Sequence, residues 1–376
     1  MNDEPPYPRR RRWAAVALLT LFRGADADAL LADDAELRRS VAALASDAFD
    51  ERENATKALA AAGEAAVPFV VAAAKSGDRE TTYRALVVLD RLASADESAA
   101  RKAARRALAE LSKADDAQVA RAAREKLEKF VATAVARLRS SGGDVNFRDG
   151  RVWSISFANH AIGDATLVPL DDLEPVQLNL TRTQVADETL ARLAGHTQLE
   201  LLNLMATKVT DEGMKHLAGL SEMRTFSVER TAVTDAGLAH LRGFDKLKIL
   251  YLGGSKVAGP GLKHVEHLPV EYLSFAYSRV DDSVVEHVVR LKGLKTLGLD
   301  DTQVTDACLP ALASLENLEV LWLDNCGAIT DAGVPHLARL TKLKTLHVQR
   351  TGISAQGFAQ LKVALATTEI NGAPGE

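Results

Sequence analysis

Cysteine is nearly absent from this sequence, with only Cys308 and Cys326 among 376 residues. Two thiols can form neither a disulfide framework nor a four-ligand zinc site, so we predict two buried thiols and no metal site. An excess of charge of one sign is also lacking, because 46 basic residues nearly balance 51 acidic ones and leave a formal net charge of -5. That balance gives no general attraction to nucleic acid, and we therefore expect no nucleic-acid partner.

The sequence also lacks the short motifs that build common active sites. It has no G-x-S-x-G elbow and no P-loop, and the glycines at 253–254 and 259–261 do not have the spacing of a phosphate-binding turn. Motifs do not detect an active site that is assembled from distant side chains. We predict a non-enzymatic protein without a cofactor, and an active site of distant residues is the alternative.

The N-terminal segment has the three parts of a secretory signal peptide. Four arginines at 9–12 precede an apolar run at 13–22, and alanines at 25, 27 and 29 offer A-x-A cleavage sites. A run of ten residues is too short to span a bilayer, so we predict no stable membrane insertion. We therefore predict a signal peptide at 1–29 and export to the periplasm or the cell exterior. The alternative is a buried first helix in a cytoplasmic protein.

Residues 30–140 have the 3.6-residue apolar periodicity of helices throughout. Gly63 marks the end of one predicted helix, and Pro68 lies in the first turns of the next. The stretch ATKALAAAGEAAVPFVVAAA at 55–74 resembles the paired helices of HEAT-like repeats. That resemblance implies an all-helical HEAT-like domain, with a plain helical bundle as the alternative.

A Ser-Ser-Gly-Gly sequence at 140–143 predicts a flexible joint after the helical domain. The following stretch, VNFRDGRVWSISF at 145–157, contains two alternating runs separated by Asp149 and Gly150, which is typical of a tight β-hairpin. Its second run ends like the strands of the later repeats. We predict that this hairpin starts the next domain at residue 144 and covers the apolar end of its core.

From residue 162 onward one phrase recurs, most clearly as VTDEGMKHL at 209–217 and VTDAGLAHL at 233–241. The branched residues that open successive phrases lie 23, 24, 24, 24, 23, 24, 25 and 24 positions apart. A period of this length predicts a solenoid, which presents a surface rather than a pocket. The nine opening residues are Ile162, Val185, Val209, Val233, Val257, Val280, Val304, Ile329 and Ile353.

Each repeat also contains an L-x-x-L-x-L phrase, such as LELLNL at 199–204 and LEVLWL at 318–323. With the T-D-x-G phrase that follows, residues 152–371 resemble bacterial leucine-rich repeats, and LEVLWLDNCGAITDAGV at 318–334 resembles their cysteine-containing subtype. The resemblance implies an α/β leucine-rich repeat solenoid at 144–372. Short parallel strands would form its concave side and helices its convex side.

The most repetitive polar residues are predicted to be structural. An aspartate before each predicted helix can accept hydrogen bonds from first-turn amides, and a threonine or cysteine at each strand end can donate to carbonyls of the neighbouring turn. Five histidines recur at one helical position because stacked helices repeat the same packing, so we predict no metal ladder. The aspartates are Asp187, Asp211, Asp235, Asp306 and Asp331, and the histidines are His216, His240, His264, His287 and His336.

Recognition is predicted where the repeats differ. In L-x-L the leucines enter the core and the x residues face outward on the concave side, where nine strands would form an arc of about 40 Å. Bulky amphipathic residues at such positions are typical of protein-interface hot spots. The predicted contact residues are four ring-bearing residues, Tyr251, Tyr272, Trp322 and His347, and four charged residues at their rim, Asp300, Asp324, Glu229 and Arg230.

A protein partner of unknown identity is the principal prediction, because a small metabolite would use little of such an arc. Gly298 is expected to leave a gap between the two tyrosines and Trp322. Three other interpretations stay open. The rings could merely shield the sheet, they could stack on an envelope polysaccharide, or the helical and repeat halves could join two partners as a scaffold.

Overall fold

The computed structural model describes residues 26–95 and 98–372. The predicted signal peptide lies outside these ranges, apart from its last four residues. Within the described ranges, no helix combines the length and the apolar composition needed to cross a bilayer. The chain divides into two compact units, the first ending at Val131 and the second beginning at Ala132.

The described part of the first unit is helical, as predicted, and the unit boundary falls within its last helix. The helices are α1 (Asp26–Ala43), α2 (Phe49–Ala61), α3 (Val67–Ala74), α4 (Arg79–Ala93), α5 (Ser98–Leu111) and α6 (Ala117–Ser140), with a 3₁₀ turn at Gly63–Ala66.

Local sequence signals set the ends of these helices. Gly63 follows α2 with a φ of 62°, a left-handed conformation that glycine adopts without a steric penalty. Pro68 lies in the first turn of α3, where its missing N–H removes no helical hydrogen bond. The Asp78 carboxylate accepts a hydrogen bond from the Thr81 amide at 2.7 Å and so caps α4. The core of this unit contains buried aliphatic side chains, including Leu59, Val70, Leu89 and Leu108.

In the second unit, eleven strands of the described chain form one sheet in sequence order. The first two pair antiparallel, as predicted, and every later neighbouring pair is parallel. Asp149 (φ 50°) and Gly150 (φ 74°) form the hairpin turn, because a type I′ turn needs positive φ at both central residues. The strands are β1 (Asp144–Arg148), β2 (Arg151–Ser156), β3 (Gln177–Asn179), β4 (Leu201–Asn203), β5 (Thr225–Ser227), β6 (Ile249–Tyr251), β7 (Tyr272–Ser274), β8 (Thr296–Gly298), β9 (Val320–Trp322), β10 (Thr345–His347) and β11 (Glu369–Asn371).

Short helices and 3₁₀ turns connect the parallel strands on the convex side. The α-helices are α7 (Asp187–Leu193), α8 (Asp211–Met214), α9 (Val285–Val288), α10 (Leu309–Leu312), α11 (Val334–Leu337) and α12 (Ala355–Ala364). The 3₁₀ turns are Asp164–Asp172, Lys215–Leu217, Gly237–Leu241, Pro260–His264, Asp282–Val284 and Asp306–Cys308.

The core of the second unit is a stack of equivalent apolar residues. Leu178, Leu202 and Phe226 are in register at the centres of β3, β4 and β5, and all three are fully buried. The nine branched residues that open the repeats are buried as well, with at most 8% of their surface exposed. Parallel register and stacked apolar residues make this unit a leucine-rich repeat solenoid, which confirms the predicted fold class.

The parallel part of the sheet, β2 to β11, has one strand more than the nine predicted. The additional strand is β11, which pairs with β10 through Glu369 opposite Thr345 and Asn371 opposite His347. Its sequence, Glu-Ile-Asn, lacks the leucines of the repeat phrase. The backbone pairing of the last repeat, and not an apolar pattern, therefore defines this strand.

The repeated aspartates do not cap their own helices, so that prediction was wrong. Asp211 accepts the backbone amide of Thr234 at 2.8 Å and the Thr234 hydroxyl at 2.6 Å, and both groups belong to the next repeat. A cap must lie before the first helical residue, whereas Asp211 is itself the first residue of α8. The same two bonds to the next repeat are made by Asp187 to Thr210, Asp282 to Thr305, Asp306 to Thr330 and Asp331 to Ser354.

The glycine of each T-D-x-G phrase makes room for the aspartate of the preceding repeat. A Cβ added to Gly237 would lie 2.5 Å from Oδ1 of Asp211, which is closer than real side chains approach. Three repeats lack this glycine. Val284 follows the repeat in which Gly259 replaces the aspartate, whereas Thr189 and Cys308 occupy the glycine position beside Asp164 and Asp282. Where the glycine is present, it packs directly against the aspartate of the preceding repeat.

Strand-end hydroxyls donate within their own turn rather than to the neighbouring turn that was predicted. Thr231 donates to the Val228 carbonyl at 2.6 Å, three residues earlier in the same repeat. The thiol of Cys326 does contact the preceding repeat, since it donates to the Leu299 carbonyl at 3.1 Å. Cys308 and Cys326 are both buried and free, as predicted.

Candidate functional site

The concave face is formed by the first and last residues of the three-residue strands. Ile249 and Tyr251 are partly exposed on either side of the buried Leu250 in β6, because successive strand side chains point to opposite faces. Trp322 and His347 are the last residues of β9 and β10, as Tyr251 is of β6, whereas Tyr272 is the first residue of β7 and lies opposite Ile249. All four predicted ring-bearing residues therefore lie on this face.

These four side chains form a continuous aromatic row, defined as Tyr251, Tyr272, Trp322 and His347. Ring centroids are 4.9 Å apart for the two tyrosines, 6.0 Å for Tyr272 and Trp322, and 5.8 Å for Trp322 and His347. The rings meet at angles of 52° to 75°, the tilted and edge-on geometries that their quadrupoles favour. Mutual packing fixes their positions while each ring stays partly exposed.

Gly298 brings the rings together, and the predicted gap between the tyrosines and Trp322 is not there. This residue lies on β8, between the strands that carry Tyr272 and Trp322. A Cβ at Gly298 would lie 3.3 Å from Cε3 of Trp322 and 3.0 Å from Oγ of Ser274. The missing side chain leaves space in which the Tyr272 ring reaches the Trp322 ring across β8.

Two carboxylates lie beside the tyrosines at the ends of their strands. Glu229 follows β5 and Asp300 follows β8, each two residues beyond the strand. Burial raises the pKa of Asp300 to about 6, and burial also raises the pKa of Glu229. Both carboxylates also act on the Tyr272 phenol, whose pKa is raised first by its own burial and then by Tyr251 and these charges.

The two equivalent positions between these carboxylates carry very small residues. Gly253 follows β6 and Ala276 follows β7, again two residues beyond each strand. A Cβ at Gly253 would lie 2.4 Å from the Ala276 carbonyl oxygen and 3.0 Å from Oε1 of Glu229. The carboxylate of Glu229 thus extends over Gly253.

The remaining predicted rim residues have other partners. Asp324 accepts the Gln349 amide at 2.6 Å, and its Oδ2 lies 3.8 Å from Nδ1 of His347. Arg230 lies in the loop after β5, and its guanidinium carbon is 5.4 Å from the ring centre of Tyr277. The exposed Tyr277 was not predicted, because it follows its strand and so does not belong to the L-x-L positions.

The histidine row has ordinary polar contacts. His264 accepts from Arg242 at 2.6 Å between Nη2 and Nδ1, and its pKa is lowered chiefly by burial and then by Arg242. In the part of the chain that the structure describes, no group of three histidine, cysteine or acidic residues is placed to hold a metal ion. Burial raises the pKa of the Cys308 thiol to about 12, which keeps it protonated.

Comparison with known proteins finds no matching family model and no matching curated protein. Among solved structures, internalin C2 from Listeria monocytogenes is 25% identical over 58% of this chain and 92% of its own, with a TM-score of 0.43. The internalin InlF from the same organism is 16% identical over 65% and 88%, with a TM-score of 0.37. A leucine-rich repeat protein from Leptospira interrogans is 15% identical over 58% and 72%, with a TM-score of 0.36.

These TM-scores are all below 0.5, so the fold is assigned from the chain itself. Its parallel strand register, stacked leucines and repeating connections on the other side define the leucine-rich repeat class.

Proposed function

We propose that the protein is a non-enzymatic module that binds a protein partner on the concave face of its leucine-rich repeats. The observation that carries this proposal is the aromatic row, in which four packed and partly exposed rings span β6 to β10. Tyrosine and tryptophan at the centre of an interface contribute most of its binding energy, and rings already fixed by packing lose little entropy on binding.

The size of the face favours a macromolecule. Ten parallel strands at a spacing of about 4.8 Å give an arc of about 40 Å. That length matches a standard protein interface of roughly 800 Å² per partner. The described chain presents this surface as a continuous sheet, so a bound polypeptide would contact several repeats at once.

Two finer features accompany this proposal. Export is supported by the signal-peptide pattern of residues 1–29, and it would make the partner an envelope or extracellular protein. A HEAT-like first unit is supported by its alanine-rich helices and by Pro68 in the first turn of α3.

Site-specific photo-crosslinking in the full chain tests the proposal. A photoreactive amino acid is placed at Thr296 on the concave face, at the exposed Lys263 on the convex side, or at the exposed Tyr83 in the first unit. We expect one reproducible protein adduct from position 296 and none from position 263. Loss of that adduct in Tyr251→Ala, Tyr272→Ala and Trp322→Ala, but not in the control Tyr277→Ala, would assign binding to the aromatic row.

Other outcomes separate the alternatives. Adducts of two different proteins at positions 83 and 296 would favour the scaffold. If no protein adduct forms at any position and the chain binds to a polysaccharide array, glycan binding is favoured. Equal adducts at positions 263 and 296 would contradict the concave-face proposal.

A further inference from the structure

Three recurring links join neighbouring repeats of the solenoid, in addition to the bonds between strands. In the loop link, the Arg230 amide donates to the Gly253 carbonyl of the next repeat at 2.9 Å. In the opening link, the Ala232 amide donates at 3.2 Å to the carbonyl of Val209, which opens the preceding repeat. The aspartate link is the pair of bonds that Asp211 makes to the next repeat. All three lie between the end of a strand and the first turn of the convex helix, so they hold the repeats together beyond the sheet.

Among the described repeats, the junction between those that carry β6 and β7 makes none of these links. The Gly254 amide does not donate to the Ala276 carbonyl. The Arg279 amide does not donate to the carbonyl of Val257. Gly259 takes the place of the aspartate and offers no side-chain acceptor. This place in the solenoid is named the open junction.

The other junctions show that this combination is particular to the open junction. From β2 to β10, every other pair of neighbouring repeats makes the loop link. The opening link is also missing between the repeats that carry β8 and β9, but Asp306 there makes both bonds to Thr330. In the sheet from β2 to β10, only the open junction therefore lacks the whole set.

The strands still tie the two repeats together on the concave side of the open junction. The amides of Glu271 and Tyr272 donate to the Lys248 carbonyl at 2.9 Å and 3.0 Å. The Leu252 amide donates to the Ser274 carbonyl at 2.9 Å. An ion pair between Lys248 and Glu271, at 2.9 Å, crosses the same edge. Because the directional bonds are concentrated in the sheet, β6 and β7 can serve as the axis of a rotation.

The convex side of the open junction is suited to such a rotation. A Cβ added to Gly259 would lie 3.1 Å from Cγ2 of the buried Val284, so apolar packing takes the place of the aspartate link. Apolar contact has no preferred direction, in contrast to a hydrogen bond. Gly254 and Gly259 have φ values of 62° and 126°, and glycine changes φ at little steric cost. Hinges are built from a few loop residues that absorb such changes.

We propose that the open junction is a hinge that changes the curvature of the concave face. The aromatic row crosses its axis, because Tyr251 lies on β6 and the other three rings lie on β7 and beyond. Rotation that widens the convex side would close the face around the contact between Tyr251 and Tyr272, and the opposite rotation would flatten it. The hinge itself follows from the links, whereas its use in adapting the face to a partner rests on the proposed function.

The test is double electron–electron resonance on the full chain, with pairs of spin labels attached to cysteines introduced at exposed convex positions. The pair at Lys215 and Glu286 crosses three junctions, one of which is the open junction. Two control pairs, Ala191 with Lys263 and Glu286 with Ala359, each cross three junctions that keep the loop link and an aspartate bond. We expect the distance distribution of the first pair to be about twofold wider than either control, since opening concentrates where few bonds cross.

The labels are directed to the introduced cysteines. Cys308 and Cys326 are buried, and burial raises the pKa of both thiols, so they are poor nucleophiles. The unsubstituted chain, treated with the same reagent, measures any labelling of these two residues.

Asp306→Ala provides a matched test of the cause. It removes the aspartate link at a junction that already lacks the opening link, so the 286–359 distribution should become about twofold wider. The 191–263 distribution should not change. Asp245→Ala, at an exposed position outside the links, should change no pair. Circular dichroism confirms that each variant is folded.

Two outcomes would overturn the inference. Equal widths for the three pairs without Asp306→Ala would show that the open junction is no more mobile than the others. An unchanged 286–359 distribution in Asp306→Ala would show that missing links do not cause mobility.

Failure of the hinge is distinguishable from failure of the proposed function. A narrow 215–286 distribution together with a protein adduct from position 296 would remove the hinge and leave the proposed function standing. A wide 215–286 distribution without any concave protein adduct would leave the hinge and contradict the proposed function.

Discussion

Two sets of carboxylates in the repeats share the same chemistry but differ in their partners. The repeated aspartates, such as Asp211, accept an amide and a hydroxyl from the next repeat. On the concave side, Glu229 occurs in one repeat and the aspartate at Asp300 recurs only as Asp324; neither Glu229 nor Asp300 forms an ion pair with a described residue. The repeated aspartates therefore hold neighbouring repeats together, a pair of bonds that Glu229 and Asp300 do not make.

The pKa values of the two sets also shift in opposite directions. Hydrogen bonds from the Ser354 hydroxyl and amide lower the pKa of Asp331, so its stabilising contribution is present at neutral pH and is lost as pH falls. Burial raises the pKa of Asp300 to about 6 from 3.8, so its ionisation opposes folding as pH rises through that interval. One aspartate stabilises the solenoid at neutral pH, and the other destabilises it.

The largest loss of stability is expected when a larger side chain fills the space beside a repeated aspartate. Gly237→Val would put a Cβ 2.5 Å from Oδ1 of Asp211 and 2.8 Å from Cγ1 of Val233. Overpacking of this kind costs about 3 kcal/mol of unfolding free energy, which denaturant titration measures. We expect this to be the largest stability loss in the set.

A second substitution provides the control. The side chain introduced by Gly237→Val would clash with the Asp211 carboxylate, and Asp211→Ala removes that carboxylate. The double variant then resembles the natural combination of Gly259 and Val284, in which neither aspartate nor glycine is present at these positions. The double variant should therefore lose about 1 kcal/mol less than the sum of the two single variants. Strict additivity would contradict the idea that aspartate and glycine act as a pair.

Removing a repeated aspartate by itself should have the next largest effect. Asp306→Ala deprives the Thr330 amide and hydroxyl of their acceptor. Loss of hydrogen bonds to a charged group costs about 2 kcal/mol. The matched control is Asp245→Ala at an exposed position, which should stay near wild type in the same unfolding experiment. Equal losses in the two variants would contradict a linking role for Asp306.

Local signals allowed most of the fold to be predicted from sequence. The hairpin depends on an Asp149-Gly150 turn between alternating runs, and the strands depend on leucines two positions apart, so each signal lies within a few residues. The role of Asp211 could not be recognised in this way, since its partner Thr234 is 23 residues away. Capping and cross-repeat bonding share the same sequence pattern.

The candidate site was predictable in part for the same reason. Alternation alone places Tyr251, Tyr272 and Trp322 on the outer positions of their strands. Gly298 was expected to separate the rings, because the pattern gives the position of a side chain but not how far a neighbour reaches across an empty one.

Neutralising the buried concave carboxylate should stabilise the protein, in contrast to Asp306→Ala. Asp300→Asn removes a group whose ionisation is opposed by burial. At this partly exposed position, solvent screening reduces the expected gain to about 1 kcal/mol at pH 7.5. The gain should shrink as pH falls from 6 to 3.8, and by pH 4 most of it should be gone, because the folded chain then holds the proton and the unfolded chain is losing its charge. Thermal unfolding from pH 4 to pH 8 measures it, and a constant gain at every pH would contradict the assignment to Asp300 ionisation.

The smallest change in stability is expected at the edge of the sheet where the strands begin. Carboxylates there form ion pairs but are exposed to water. Hydrogen bonds from Lys295 and then Lys248 lower the pKa of Glu271 to about 2. Exposed ion pairs contribute little to stability, because water and salt screen them and long side chains lose entropy. Glu271→Gln should therefore change the unfolding midpoint less than Asp306→Ala or Asp300→Asn, and high salt should remove the difference. A loss as large as that of Asp306→Ala would show that ion pairing at this edge, and not only aspartate bonding between repeats, holds the solenoid together.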